Sequence, residues 1–219
     1  MRRPVNRRGF LAAGGAALAG MFPGPRRLRA WAPAAAAVAL ARFELVQPEL
    51  FAASGGQPNC WADFDNDGDL DLFVGFKADV PNRLYRNDGG MFRDVAVDLG
   101  LADSADTRAA AWGDFNADGH LDLYVGFTRK SGWRNKLYRN DGNGRRFTEV
   151  GREFGLDVMG ETRQVSWVDF DNDGRVDLFV AFRDAPNMLF HNEGDRFVDV
   201  AKDMGVDDPR KTVGAVWFD

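Results

Sequence analysis

The sequence predicts an all-β chain whose body is a partial β-propeller of about three four-stranded blades. Two observations predict it: an internal repeat with a period near that of a propeller blade, and apolar strand-like runs divided by glycine-containing turns within every copy. Three segments align without gaps, WADFDNDGDLDLFVGF at 61–76, WGDFNADGHLDLYVGF at 112–127 and WVDFDNDGRVDLFVAF at 167–182, and a fourth copy begins as Trp217-Phe218-Asp219. The leading aspartates Asp63, Asp114, Asp169 and Asp219 are separated by 51, 55 and 50 residues.

Within a unit the first strand ends at the repeated tryptophan. The second is the run LDLFVGF or its equivalent, whose near-continuous hydrophobicity predicts burial on both faces. The third carries NRLYRNDG at 82–89, NKLYRNDG at 135–142 or NMLFHNEG at 187–194, ending in a turn sequence. A short aromatic fourth strand follows from Phe92, Phe147 or Phe197. Helical periodicity is not sustained anywhere after residue 42, though 94–101 and 198–206 have room for one turn each. The units are bounded at 55–106, 107–161 and 162–211, with 212–219 opening a fourth, and 42–54 is a lead-in that could supply an outer strand.

Charge is unevenly distributed. Residues 1–41 hold seven arginines and no acid; without those seven of the 28 basic residues, the 33 acidic residues take the formal charge from −5 to −12. A body this acidic repels nucleic acid and attracts cations. Residues 1–41 read as an export segment, with arginines followed by an apolar run from Phe10 to Phe22 and then Pro23 and Pro25. That run is shorter than the roughly 20 apolar residues a stable membrane span needs. Asn6-Arg7-Arg8-Gly9-Phe10-Leu11 resembles a twin-arginine signal, which implies a periplasmic or extracellular destination, with Ala39-Leu40-Ala41 as the preferred cleavage site. Cys60 is the single cysteine and has no partner in the chain for a disulfide, so it reads as a small buried side chain.

The chemistry is concentrated in the loops after the first strands. Loop one offers Asp63, Asp65, Asp67 and Asp71 with Gly68; loop two Asp114, Asn116, Asp118 and Asp122 with Gly119; loop three Asp169, Asp171, Asp173 and Asp177 with Gly174. Alternate side chains of a tight loop converge on one point, the glycine permits the turn, and hard oxygen donors are what calcium takes. Asp69, His120 and Arg175 share one loop position but no chemistry, which fits a backbone carbonyl ligand there. Crowded carboxylates without a cation should either disorder the loop or raise carboxyl pKa values. An EF-hand would need an acid at loop position twelve, where Val74, Val125 and Val180 stand. Magnesium keeps more water, and softer metals lack clustered cysteine or histidine, so about three calcium sites are expected.

These runs resemble the FG-GAP or VCBS repeat of integrin α-type propellers, and most closely the cartilage acidic protein family, over about 55–219. The resemblance implies ligands at loop positions one, three, five and nine plus the seventh carbonyl, which are the residues above, with Asn116 departing from aspartate. It also implies a full ring of about seven blades, so that this chain is a truncated part or needs further blades or a partner to close.

No catalytic constellation stands apart from the loops, and the expectation is a non-enzymatic binding, adhesion or scaffold module with structural calcium and a protein or carbohydrate ligand. The competing expectation is a fragment or accessory subunit of a larger propeller enzyme or exported complex. His191, replacing Arg86 and Arg139 at its repeat position, reads as a solvated turn residue. Trp133 lies outside the tryptophan register and is the aromatic to test for ligand contact.

Overall fold

The computed structural model describes residues 44–218; residues 1–43, on which the expected export segment and cleavage site fall, and Asp219 lie outside the described residues. The described residues hold three antiparallel four-stranded sheets that make three blades of an unclosed propeller. Strands β1 (Gly56–Ala62), β2 (Asp71–Phe76), β3 (Arg83–Asp88) and β4 (Met91–Asp94) form the first. Strands β5 (Thr107–Gly113), β6 (Asp122–Phe127), β7 (Lys136–Asn140) and β8 (Phe147–Glu149) form the second. The third comprises β9 (Thr162–Val168), β10 (Asp177–Phe182), β11 (Met188–Asn192) and β12 (Phe197–Asp199). Each sheet runs in sequence order, so every connection within a blade is a hairpin. The expected single helical turns exist as α1 (Ala96–Leu99) and α2 (Ala201–Met204), each closed by a left-handed glycine, Gly100 or Gly205.

Burial of the second strands follows the period-two alternation of side chains between faces. All six residues of β6 and of β10 are buried. Leu123, Val125 and Phe127 share a core with Phe73 and Leu84 of the first blade, whereas Tyr124 joins Leu178, Val180 and Phe182 of the third. In β2 the residues equivalent to Leu123 and Val125, Leu72 and Val74, are only half-buried, because no sheet among the described residues packs on that side. The same asymmetry leaves Trp61 53% exposed. Its repeat partner Trp112 instead stacks on Phe64 of the preceding blade, centroids 6.0 Å apart, and Trp167 donates from Nε1 to Ala111 O at 3.3 Å. Trp112 and Trp167 are packing residues between blades.

Adjacent blades are also tied by the two asparagines of the Asn-x-Leu-Tyr-x-Asn run. Asn82 Oδ1 accepts from Phe76 N at 3.0 Å within its own blade and from Thr107 Oγ1 at 2.9 Å in the next. Asn135 repeats this with Phe127 N at 3.0 Å and Thr162 Oγ1 at 3.1 Å. Each threonine lies against a glycine: a Cβ at Gly75 would stand 2.5 Å from Thr107 Cγ2, and one at Gly126 would stand 2.5 Å from Thr162 Cγ2. Glycine at these two strand positions therefore lets the next blade approach. Asn140 Nδ2 donates to Phe64 O at 2.9 Å and to Leu121 O at 3.2 Å, joining the acidic loops of the first two blades. Asn192 does the same with Phe115 O at 2.8 Å and Val176 O at 3.0 Å.

The lead-in differs from expectation. Residues 44–46 are irregular and residues 47–51 form a bend and a turn, so the described part of this segment holds no outer strand. The Gln47 side-chain amide nevertheless pairs with the edge strand β4, accepting from Phe92 N at 2.6 Å and donating to Phe92 O at 2.9 Å. Phe51 packs on Tyr85 and Phe92, so the segment covers an edge that would otherwise expose unpaired backbone. Cys60 borders the core between the first two blades, and burial pushes its thiol up to about 12, which leaves it unreactive near neutral pH. Among the described residues no helix is long and apolar enough to cross a membrane.

Candidate metal centres

The three acidic loops share one local geometry. In the first, the Asp63 carboxylate accepts from Asp67 N and from Gly68 N, both at 3.0 Å, which folds the loop back on its first residue. Asp67 Oδ1 accepts from Asp69 N at 2.9 Å. Asp114 and Asp118 in the second loop, and Asp169 and Asp173 in the third, make the equivalent bonds. The fourth loop residue is left-handed in every copy, with φ of 58° at Asn66, 56° at Ala117 and 61° at Asn172, and the sixth is a positive-φ glycine. Those two reversals fold the loop back toward its first residue.

The ninth-position aspartates hold the loop to the sheet. Asp71 accepts from Phe64 N at 3.1 Å and from Asn87 N at 2.8 Å; Asp122 from Phe115 N at 3.2 Å and Asn140 N at 2.8 Å; Asp177 from Phe170 N at 3.1 Å and Asn192 N at 2.8 Å. All three are buried. Desolvation is the leading cause that pushes the Asp71 carboxyl up to about 6 and that of Asp122 to about 7, with neighbouring loop acids adding to it; Asp177 is raised for the same first cause. Burial, more than crowding, is what raises these carboxyls, and the backbone N–H groups they accept from pull in the opposite direction.

Possible ligand atoms converge in two loops. Oxygens of Asp63, Asp65 and Asp71 lie within 4.8 Å of one another, as do those of Asp169, Asp171 and Asp177. Asp65 Oδ1 is buried without a hydrogen-bond partner, the condition a cation would relieve. The second loop is less charged: Asn116 Nδ2 donates to Asp118 Oδ2 at 2.8 Å, an internal contact that does part of a cation's work. Asp69, His120 and Arg175 all sit at the seventh position. Their side chains are not idle, as the carbonyl-only assignment implied. Asp69 Oδ2 accepts from Gly89 N at 2.8 Å, His120 Nδ1 lies 3.3 Å from Asn66 Nδ2 of the neighbouring loop, and Arg175 donates from Nε to Asn192 O at 2.7 Å while its guanidinium contacts Asp173.

One residue departs from its expected role. His191 is not a solvated turn residue: it lies in β11 and faces the third loop, Nε2 standing 3.1 Å from Asp171 Oδ2. Trp133 is 38% exposed, tilted against Phe127, and covered by the Lys136 ammonium 4.4 Å from its ring centroid, which gives it a local packing role.

Repeated four-stranded blades, each opened by an acidic loop between its first two strands, define a propeller-type repeat protein. The chain belongs to the FG-GAP-like repeat family, whose repeat matches residues 63–125, 127–180 and 169–219. It is 31% identical over 149 residues to cartilage acidic protein 1 of Xenopus tropicalis, across 62% of this chain and 23% of that protein. The chain thus spans about a quarter of the length of that curated relative.

Proposed function

We propose that the chain is a calcium-binding repeat module, in which calcium stiffens the blade loops and the stiffened loops present a binding, adhesion or scaffold surface. The observation that carries this is the thrice-repeated loop with one backbone trace and oxygen donors at positions one, three, five and nine, close to the donor set calcium prefers. The donors are Asp63, Asp65, Asp67 and Asp71; Asp114, Asn116, Asp118 and Asp122; Asp169, Asp171, Asp173 and Asp177. The seventh-position carbonyls of Asp69, His120 and Arg175 complete each set. Calorimetric titration tests the assignment: calcium should bind at three sites of roughly 10⁻⁴–10⁻³ M, as in extracellular modules. Asp67→Ala, Asp118→Ala and Asp173→Ala should each remove one site, and a stoichiometry unchanged in all three variants would refute the ligand assignment.

Calcium needs the ninth carboxylate ionised, and burial opposes that ionisation at Asp71 and Asp122. Their folded pKa values lie above the ordinary value near 4, so the folded state holds these protons more tightly than the unfolded chain. In chelator, the stability these groups contribute is fully present below about pH 4 and is lost as pH rises through about 6 to 7. Calcium affinity should rise across the same window. Thermal melts and titrations at pH 5, 6, 7 and 8 check both slopes; flat calcium affinity would show that these carboxyls are not ligands.

The same reading places the protein in the periplasm or outside the cell, carried there by the segment containing Arg7 and Arg8. Cell fractionation of the chain with both arginines changed to lysine should find the protein retained in the cytoplasm. Undiminished export would remove the twin-arginine assignment.

A further inference from the structure

The third loop carries one donor that the other two lack. At the repeat position of His191 the first blade has Arg86, whose Nε lies 3.9 Å from Asp65 Oδ2, and the second has Arg139, turned to Asp141 at 2.9 Å. A guanidinium neutralises an acid but cannot donate a lone pair to a metal; an imidazole can. His191 Nε2 stands 3.1 Å from Asp171 Oδ2 and 3.7 Å from Asp173 Oδ2, and ligand atoms of these three residues lie within 4.8 Å of one another. Nε2 is itself buried and makes no hydrogen bond. The ring is fixed by Phe170, edge-on at 5.8 Å.

We propose that His191, Asp171 and Asp173 form a nitrogen–oxygen centre for a borderline divalent cation of the zinc or cobalt class. Bonds of about 2.1 Å at a tetrahedral centre separate neighbouring ligand atoms by about 3.4 Å, and the two nitrogen–oxygen distances lie on either side of that value. Imidazole suits such ions, whereas calcium takes oxygen donors almost exclusively. Asp171 also belongs to the cluster with Asp169 and Asp177, so the two kinds of ion compete for the third loop; the imidazole of the second loop, His120, instead faces Asn66 of the first loop at 3.3 Å. The Arg175 guanidinium contacts Asp173 Oδ2 and its Nε donates to Asn192 O at 2.7 Å, so a cation at this centre shares the Asp173 carboxylate with that guanidinium. The inference needs the loop geometry described above but not calcium as the loop's ligand.

Titration of the whole chain with Co²⁺, followed by visible absorption and displacement with Zn²⁺, is the test. The arginine of the first two blades supplies a substitution the fold already accepts at this position, His191→Arg, and His191→Gln is the neutral variant of similar length. Expected is one equivalent of absorbing Co²⁺ in the unaltered chain, bound at least roughly tenfold more weakly by both variants, with calcium stoichiometry undiminished. Equal Co²⁺ binding by the unaltered chain and either folded variant would overturn the centre while leaving the calcium reading intact. Co²⁺ binding that depends on His191 in a chain that takes up no calcium would uphold the centre and defeat the calcium reading.

Discussion

Replacing Asp122 by alanine is expected to destabilise the protein by about 2–4 kcal/mol, most of it independent of metal. Asp122 is fully buried and accepts two backbone N–H groups, Phe115 N from the loop and Asn140 N from β7. Alanine leaves both donors without an acceptor, each costing about 1–3 kcal/mol. Part of that is offset because the variant no longer desolvates a carboxyl whose pKa burial has pushed to about 7. Asp118 is exposed, and its carboxylate accepts from His120 N and Asn116 Nδ2 alone. Asp118→Ala should therefore lose its metal site at a cost of about 0.5–1 kcal/mol in chelator. Urea denaturation of the two variants in chelator checks the difference; equal destabilisation would mean that the ninth carboxylate is a ligand and nothing more.

Calcium itself is expected to have a larger effect than any single substitution. With dissociation constants of about 10⁻⁴–10⁻³ M, calcium at about 10 mM adds roughly 1.4–2.7 kcal/mol per site through mass action. Three sites together give about 4–8 kcal/mol. For a chain of this size each kcal/mol moves the melting temperature by about 2–4 °C, so the total shift is about 10–30 °C. The effect spreads between blades because the loops are joined. Asn140 links the first loop to the second through Phe64 O, and Asn192 links the second to the third through Phe115 O. Ordering one loop thus fixes the carbonyl to which its neighbour is tied.

The blades were legible in the sequence because their evidence is redundant. Three aligned copies give the period, and alternation within each second strand gives the buried faces. The loop acids were legible for the same reason. What stayed hidden depends on relations between copies, which a repeat alignment does not display. The Asn-x-Leu-Tyr-x-Asn run was visible as a pattern, yet that its two asparagines bond across blades required the neighbouring blade to be in place. That Asp71, Asp122 and Asp177 accept backbone N–H groups was hidden because a proposed metal ligand and a backbone acceptor call for the same residue. His191 was the one misplaced polar side chain. It interrupts an arginine column, which is a usable signal, but only the pairing of β11 beside β10 shows that the interruption faces a loop. The lead-in failed as a strand because Gln47 meets the edge of β4 through a side-chain amide, which leaves no trace of alternation in the sequence.

Thermal unfolding of the full chain in chelator and in about 10 mM calcium, at pH 7 and fixed ionic strength, decides whether the loops hold structural calcium. A rise of about 10–30 °C with calcium is expected, reduced by about a third for each of Asp67→Ala, Asp118→Ala and Asp173→Ala. A melting temperature that calcium leaves unchanged would contradict it, showing that the acidic loops are held by their own backbone hydrogen bonds and bind no structural cation.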